Sequence, residues 1–179
     1  TLDAYLPVRD DLERTGYAAY VTELLDRFTY EEGENSSLYR LFVEALERVS
    51  TLEDPVPAIR YYEIRLLDLL GFRPELFHCV HCGNEIQPEA QFFSALLGGV
   101  ACPRCGLDAA GVRPVSMQGL KYLRHYQRSS YAEAMRVRLP GGVGPEWGAV
   151  MEHYLTYLLE RGLTSPAFLR EVRRKYTGD

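Results

Sequence analysis

Cys79-Val80-His81-Cys82-Gly83 and, with nineteen residues between Cys82 and Cys102, Cys102-Pro103-Arg104-Cys105-Gly106 contain all four cysteines of this 179-residue chain. A two-residue spacer lets both sulfurs of a pair face one ion, and the glycine after each pair lets the backbone turn tightly behind it. The separation between the pairs falls in the window of a four-cysteine zinc site. Thiolates suit zinc, and four protein ligands leave no open coordination position. The spacing therefore predicts one structural zinc ion held by Cys79, Cys82, Cys102 and Cys105.

Other uses of the tetrad fit less well. Two disulfides would need an oxidising compartment, and a chain of this length can build a core without them. A thioredoxin-type dithiol needs a single C-x-x-C leading into a helix after a strand, not two matched knuckles. A zinc deaminase would carry H-x-E and P-C-x-x-C, but Ala101 precedes Cys102 and no histidine has glutamate two places on. His78 and His81 read as surface imidazoles, because four sulfurs already complete the shell.

A hydrophobic content of 46% supports a real core. No run of eighteen apolar residues occurs and no basic leader precedes an apolar segment, so neither a membrane span nor a secretory signal is expected. Thiolate ligation of zinc suits a reducing, cytoplasmic setting. The chain opens at Thr1, without methionine, and is expected to lack a natural N-terminal part. The net charge of −5 is unevenly spread: −8 over residues 1–70, −2 over 71–112, +5 over 113–139 and zero over 140–179. The basic segment carries Arg113, Lys121, Arg124, Arg128, Arg136 and Arg138, with Tyr122, Tyr126 and Tyr131 among them. These are the candidates for phosphate contact and base stacking.

Helical periodicity is the main local signal. Tyr17, Tyr20, Val21, Leu24, Leu25 and Phe28 predict an amphipathic helix over residues 10–30, followed by a polar loop from Glu31 to Asn35. Ser36 or Ser37 is expected to cap a second helix that buries Leu38, Leu41, Phe42, Ala45, Leu46 and Val49. A third helix, Ala58 to Leu70, is apolar on most sides and is expected to be central, with Gly71 stopping it. Between the cysteine pairs, Phe92 to Ala101 reads as a hairpin with a primed turn at Gly98-Gly99. Ser116 is expected to cap a helix with Met117, Leu120, Leu123 and Tyr126 inward and Lys121, Arg124 and Arg128 outward. After Ser129-Ser130 a short helical piece follows, and Leu139 to Pro145 reads as a loop that lacks the lysine and hydroxyl of a phosphate-binding P-loop. Trp147, Val150, Met151, Tyr154, Leu155 and Leu158 mark a helix ending at Gly162. Ser165-Pro166 starts a last helix, with Phe168, Leu169, Val172 and Tyr176 on one face and a basic remainder.

The expected fold is mainly α: a helical bundle with an inserted four-cysteine zinc knuckle containing a small β-hairpin. Residues 1–71 form the first part of the helical domain, 72–112 the zinc module, and 113–179 the second part of the helical domain. No G-x-S-x-G, H-E-x-x-H or G-x-G-x-x-G occurs, and a non-enzymatic binding protein is expected.

The order of these features resembles the RecO family of bacterial recombination mediators. The residues that carry the likeness begin with Tyr61-Tyr62-Glu63-Ile64-Arg65-Leu66-Leu67, running into Leu70-Gly71-Phe72, and with Pro74 and Leu76 ahead of the first cysteine pair. They continue through Phe92-Phe93, Gly98-Gly99 and the second pair to Ser165-Pro166-Ala167-Phe168-Leu169. The resemblance covers essentially the whole chain and only the C-terminal part of the family. It implies an N-terminal OB-fold barrel ahead of this chain. It further implies binding of single- and double-stranded DNA, strand annealing, and contacts with RecR and the single-stranded-DNA-binding protein during RecA loading, in a bacterial cytoplasm and at the nucleoid during repair. The other reading of the residues is a zinc-knuckle protein-interaction module without direct DNA binding, which the acidic first third favours.

Overall fold

The computed structural model describes residues 8, 10–29, 35–107 and 109–159. Helix α1 spans Leu12–Phe28, α2 Ser36–Thr51 and α3 Val56–Leu69. Asp11 starts α1 by accepting from the backbone N–H groups of Glu13 and Arg14 at 2.9 and 3.1 Å. Tyr17, Tyr20, Val21 and Leu24 then face inward as the stripe predicts, while Leu25 and Phe28 lie at its half-buried margin. The cap of α2 is Asn35, whose Oδ1 accepts from Leu38 N–H at 3.0 Å, so the helix begins one residue earlier than a serine cap would place it. Arg14 donates to the Val49 carbonyl at 2.6 Å, and Tyr62 donates to the Val21 carbonyl at 3.0 Å.

Helix α3 starts at Val56 rather than Ala58, with Pro57 in its first turn, where a missing N–H costs nothing. Residues 61–64 and 66–67 are all buried, which fits a central helix, although Leu69 is 45% exposed. Gly71 adopts φ +81°, and Phe72 N–H returns to the Leu67 carbonyl at 2.8 Å, a left-handed stop that glycine permits. By packing, the chain divides into two compact units between Tyr62 and Glu63, within α3.

The second unit holds strands β1 (Gln91–Ser94), β2 (Gly99–Ala101) and β3 (Val112–Val115), helix α4 (Pro103–Gly106), and helices α5 (Met117–Arg128), α6 (Tyr131–Ala134) and α7 (Val143–Leu159). The sheet is antiparallel in the order β2-β1-β3, with Phe93 opposite Val100 on one side and Arg113 on the other. The hairpin is present, but its turn differs from the expected one. Ser94 pairs with Gly99, leaving Ala95 to Gly98 as a four-residue connection. Ser94 Oγ accepts from Leu97 N–H at 3.2 Å and Gly98 sits at φ +67°, so serine and glycine together close a wider turn. The third strand is an addition to the expected hairpin. It lies at the edge of the sheet, where Pro114, opposite Phe92, leaves no essential ladder donor missing.

Ser116 caps α5 as expected, accepting from Gly119 N–H at 2.9 Å. Leu120, Leu123 and Tyr126 are buried, but Met117, in the first turn, is 54% exposed. Helix α7 starts at Val143, inside the stretch read as loop, because Pro145 occupies its first turn without needing a donor. Trp147 packs edge-on against Tyr126 at 4.6 Å between centroids, and Tyr154 against Phe93 at 5.3 Å, so sheet, α5 and α7 share one core. Arg65 on α3 donates to the carbonyl of Ser129 at 2.6 Å, satisfying a group beyond the end of α5. The expected loop from Glu31 to Glu34, the helix end at Gly162 and the last helix from Ser165 lie outside the described residues.

Candidate metal centre and the basic face beside it

The backbone around the first cysteine pair is fixed by local hydrogen bonds. Cys79 N–H donates to the Asn84 carbonyl at 2.7 Å, Gly83 N–H to the Cys79 carbonyl at 2.8 Å, and Ile86 N–H to the Phe77 carbonyl at 2.8 Å. Gly83 lies at φ +74°, a left-handed conformation through which the tight turn expected behind the pair is made. The second pair sits at the start of α4, where the Cys102 carbonyl accepts from the N–H groups of Cys105 and Gly106, each at 2.9 Å. Gly106 serves a different purpose from Gly83. A Cβ there would lie 2.6 Å from the Phe92 side chain, so close packing, not a left-handed turn, requires glycine. Strand β2 brings the pairs together: Val80 N–H donates to the Val100 carbonyl at 2.9 Å, and Val100 N–H to the Glu75 carbonyl at 2.9 Å.

The four Sγ atoms lie within 4.8 Å of one another. Cys82 and Cys102 are 3.9 Å apart at sulfur, well beyond a disulfide of about 2.05 Å, and all four cysteines are free. A tetrahedron with bonds of about 2.3 Å has edges of about 3.8 Å, so the group fits a thiolate-bound ion with little adjustment. The donors also fit it electrostatically. Burial pushes the Cys79 thiol up, but hydrogen bonds from the N–H groups of Cys102, Cys82 and His81 and from the Cys82 side chain outweigh it, leaving it at about 6. Cys105 is pushed up to about 12, first by its hydrogen bond with Cys102, then by burial and by its remaining sulfur neighbours. The opposite shifts of Cys79 and Cys105 reflect sulfurs crowded together, a donor set whose thiolate form a bound cation would stabilise. An ion held by these four residues would join two knuckles otherwise united by a few hydrogen bonds. His78 and His81 are exposed, as expected of spare imidazoles, and His78 Nδ1 lies 3.7 Å from Glu75.

The six basic candidates do not form one equivalent set. Arg113 on β3, Lys121 and Arg128 on α5, and Arg136 and Arg138 after α6 are exposed. Arg124 is different. It is half-buried, its Nε donates to the Leu76 carbonyl at 2.8 Å, and burial followed by repulsion from Arg128 lowers its pKa. Arg124 and Arg128 both lie over the ring of Phe77, at 4.9 and 4.7 Å from its centroid. Among the tyrosines, Tyr126 is fully buried and cannot serve as a stacking platform, whereas Tyr122 and Tyr131 are half-exposed. Phe77 was not singled out by the sequence. The four-residue spacing of Arg124 and Arg128 was the available signal for a shared face, but nothing in it named the ring they meet.

This is a mainly helical protein carrying a four-cysteine knuckle on a small antiparallel sheet. It belongs to the family described as Recombination protein O C terminal, whose model matches residues 9–167. The chain is 35% identical to the DNA repair protein RecO of Roseiflexus sp. (strain RS-1), over 97% of this chain and 61% of the relative. It is 33% identical to the DNA repair protein RecO of Symbiobacterium thermophilum, over 96% of this chain and 69% of the relative. It thus spans about three fifths to two thirds of the length of these relatives. No helix among the described residues is long and apolar enough to cross a membrane.

Proposed function

We propose that this chain is the helical and zinc-knuckle part of a non-enzymatic mediator of DNA repair and recombination. Its partners in this reading are single- and double-stranded DNA, RecR and the single-stranded-DNA-binding protein, and its role is to promote strand annealing and RecA loading in the bacterial cytoplasm. Cys79, Cys82, Cys102 and Cys105 hold one structural zinc ion. Phosphate contact falls to Arg113, Lys121, Arg128, Arg136 and Arg138, with Arg124 anchoring the face. The observation that carries the reading is family membership over residues 9–167, knuckle included. The exposed cations of residues 113–138 in an otherwise acidic chain support it.

Titration of a labelled single-stranded oligonucleotide at several salt concentrations tests it. Reversing Lys121 and Arg128 to glutamate is expected to weaken binding and to flatten the salt slope by roughly 0.7 per lost single-strand contact. Unchanged affinity and slope would favour the other reading, a zinc-knuckle protein-interaction module, for which the −8 charge of residues 1–70 speaks. Co-purification with RecR and with the single-stranded-DNA-binding protein then separates the partner roles.

A further inference from the structure

Phe77 occupies a position that neither the knuckle nor the basic face explains alone. Its carbonyl accepts from Ile86 N–H across the first cysteine turn, and its N–H donates to Glu75 Oε1 at 2.6 Å. Two residues further on stands Cys79. The carbonyl of its neighbour Leu76, a fully buried residue, receives Arg124 Nε, and its own ring lies under both guanidinium groups of α5. The segment that shapes the metal site therefore also supplies the carbonyl that holds Arg124 and the ring that both arginines cover.

We infer that Phe77 is a positioning residue linking the four-sulfur site to the cationic face of α5, so that metal occupancy and anion binding at Arg128, on the face that Arg124 anchors, reinforce each other. The direction follows from the contacts. With the knuckle closed, residues 76–78 are held and the ring orders two side chains that otherwise cost rotamer entropy to fix. With the ion gone, that stretch loosens, and a phosphate chain must pay for the ordering itself. Linkage is reciprocal, so a bound phosphate chain must hold the ion more firmly by the same factor. The effect on nucleic acid rests on the reading proposed above, whereas the link from metal to α5 does not.

Three measurements on the 179-residue protein test it. Oligonucleotide affinity is measured with metal loaded and after chelation, zinc release is followed with and without saturating oligonucleotide, and hydrogen exchange along α5 is compared before and after chelation. We expect chelation to weaken binding about tenfold, within the usual range of coupling between sites, and the oligonucleotide to slow zinc release by a similar factor. Amide exchange over residues 124–128 is expected to rise on chelation. Phe77→Leu keeps an apolar side chain but removes the ring face, so it is expected to load one zinc and abolish all three responses. Phe77→Ala serves as a second variant, and its far-UV signal reports whether the body still folds. Metal-independent affinity in the wild type, or full retention of the responses in folded Phe77→Leu, would overturn the inference. If the loaded protein binds no oligonucleotide, the nucleic-acid reading fails. Exchange over α5 then decides the link: a rise on chelation that Phe77→Leu abolishes upholds it, and any other result overturns it.

Discussion

The N–H of Cys102 donates to the Sγ of Cys79 at 3.3 Å, although 23 residues separate them in sequence. The second knuckle therefore contributes to the electronic environment of the first as well as two ligands of its own. An N–H aimed at sulfur favours the thiolate, which is the form that binds a metal.

Purified, reduced protein is expected to carry about one zinc per chain, with four sulfur neighbours near 2.3 Å by X-ray absorption. Cys79→Ser or Cys102→Ser should empty the site and loosen the cysteine module, while α1, α2 and α5 keep their far-UV signal through their own apolar faces. Elemental analysis giving no metal would defeat this.

Acid should strip the ion. Cys79 has its ordinary thiol value depressed to about 6, so its ionised form stabilises the fold fully above the ordinary thiol range. That contribution disappears as pH falls through about 6. Cys105, pushed up to about 12, stays protonated near neutrality in the metal-free protein, so loading zinc there must release protons. Calorimetry in buffers of different ionisation enthalpy counts them, and zinc uptake without proton release would contradict the assignment.

Alkylating reagents are expected to label the loaded protein slowly and the chelated protein quickly. Cys82 is exposed, so slow labelling there can only come from its engagement by the metal. Rapid modification of Cys82 with zinc still bound would point back to a redox dithiol.

Arg124 and Arg128 should behave differently in stability although they share a helix face. Replacing Arg124 by leucine removes a charged donor from the Leu76 carbonyl and should cost about 1–2 kcal/mol, discounted for partial exposure. Arg128→Ala should remain within about 0.5 kcal/mol of wild type. Urea midpoints of the two variants that coincide would refute the distinction.

Glu146, in the first turn of α7, accepts from both the N–H and the hydroxyl of Ser116 at 2.7 and 2.8 Å. Glu146→Ala should cost about 2 kcal/mol by denaturant titration, since it strips a charged acceptor from the cap of α5. A loss no larger than that of an ordinary surface substitution would show the cap to be self-sufficient.

Much of the fold could be read from apolar spacing, because the helices bury stripes that recur every three to four residues. Leu38, Leu41, Ala45 and Val49 lie inward for that reason, as do Leu120, Leu123 and Tyr126. The metal site was legible for a stronger reason: chemistry demands paired cysteines at a fixed spacing, and the structure brings all four sulfurs together. Misreadings fall where two local rules compete. Asn35 and Ser36 are both good caps, and only the backbone decides between them. Pro114 hid β3, since proline argues against a strand unless the strand lies at an edge. Gly144-Pro145 argued for a loop, yet the first turn of a helix tolerates both. Met117 fits the periodic stripe, but at the first turn of α5 it lies beyond the core. The division of the basic residues was beyond sequence reading, because the partner of Arg124 is a carbonyl 48 residues away.

Distance along the chain also sets an order in time. The bonds that shape the first knuckle span a few residues, and the sheet that joins it to the second is complete by Val115. The bond from Arg65 to the Ser129 carbonyl spans 64 residues. Closing short loops is faster than closing long ones. During synthesis all four cysteines leave the ribosome before Ser129 does. Zinc can therefore be captured by a nascent chain whose body is unfinished, with the ion serving as an early clasp around which the later helices dock.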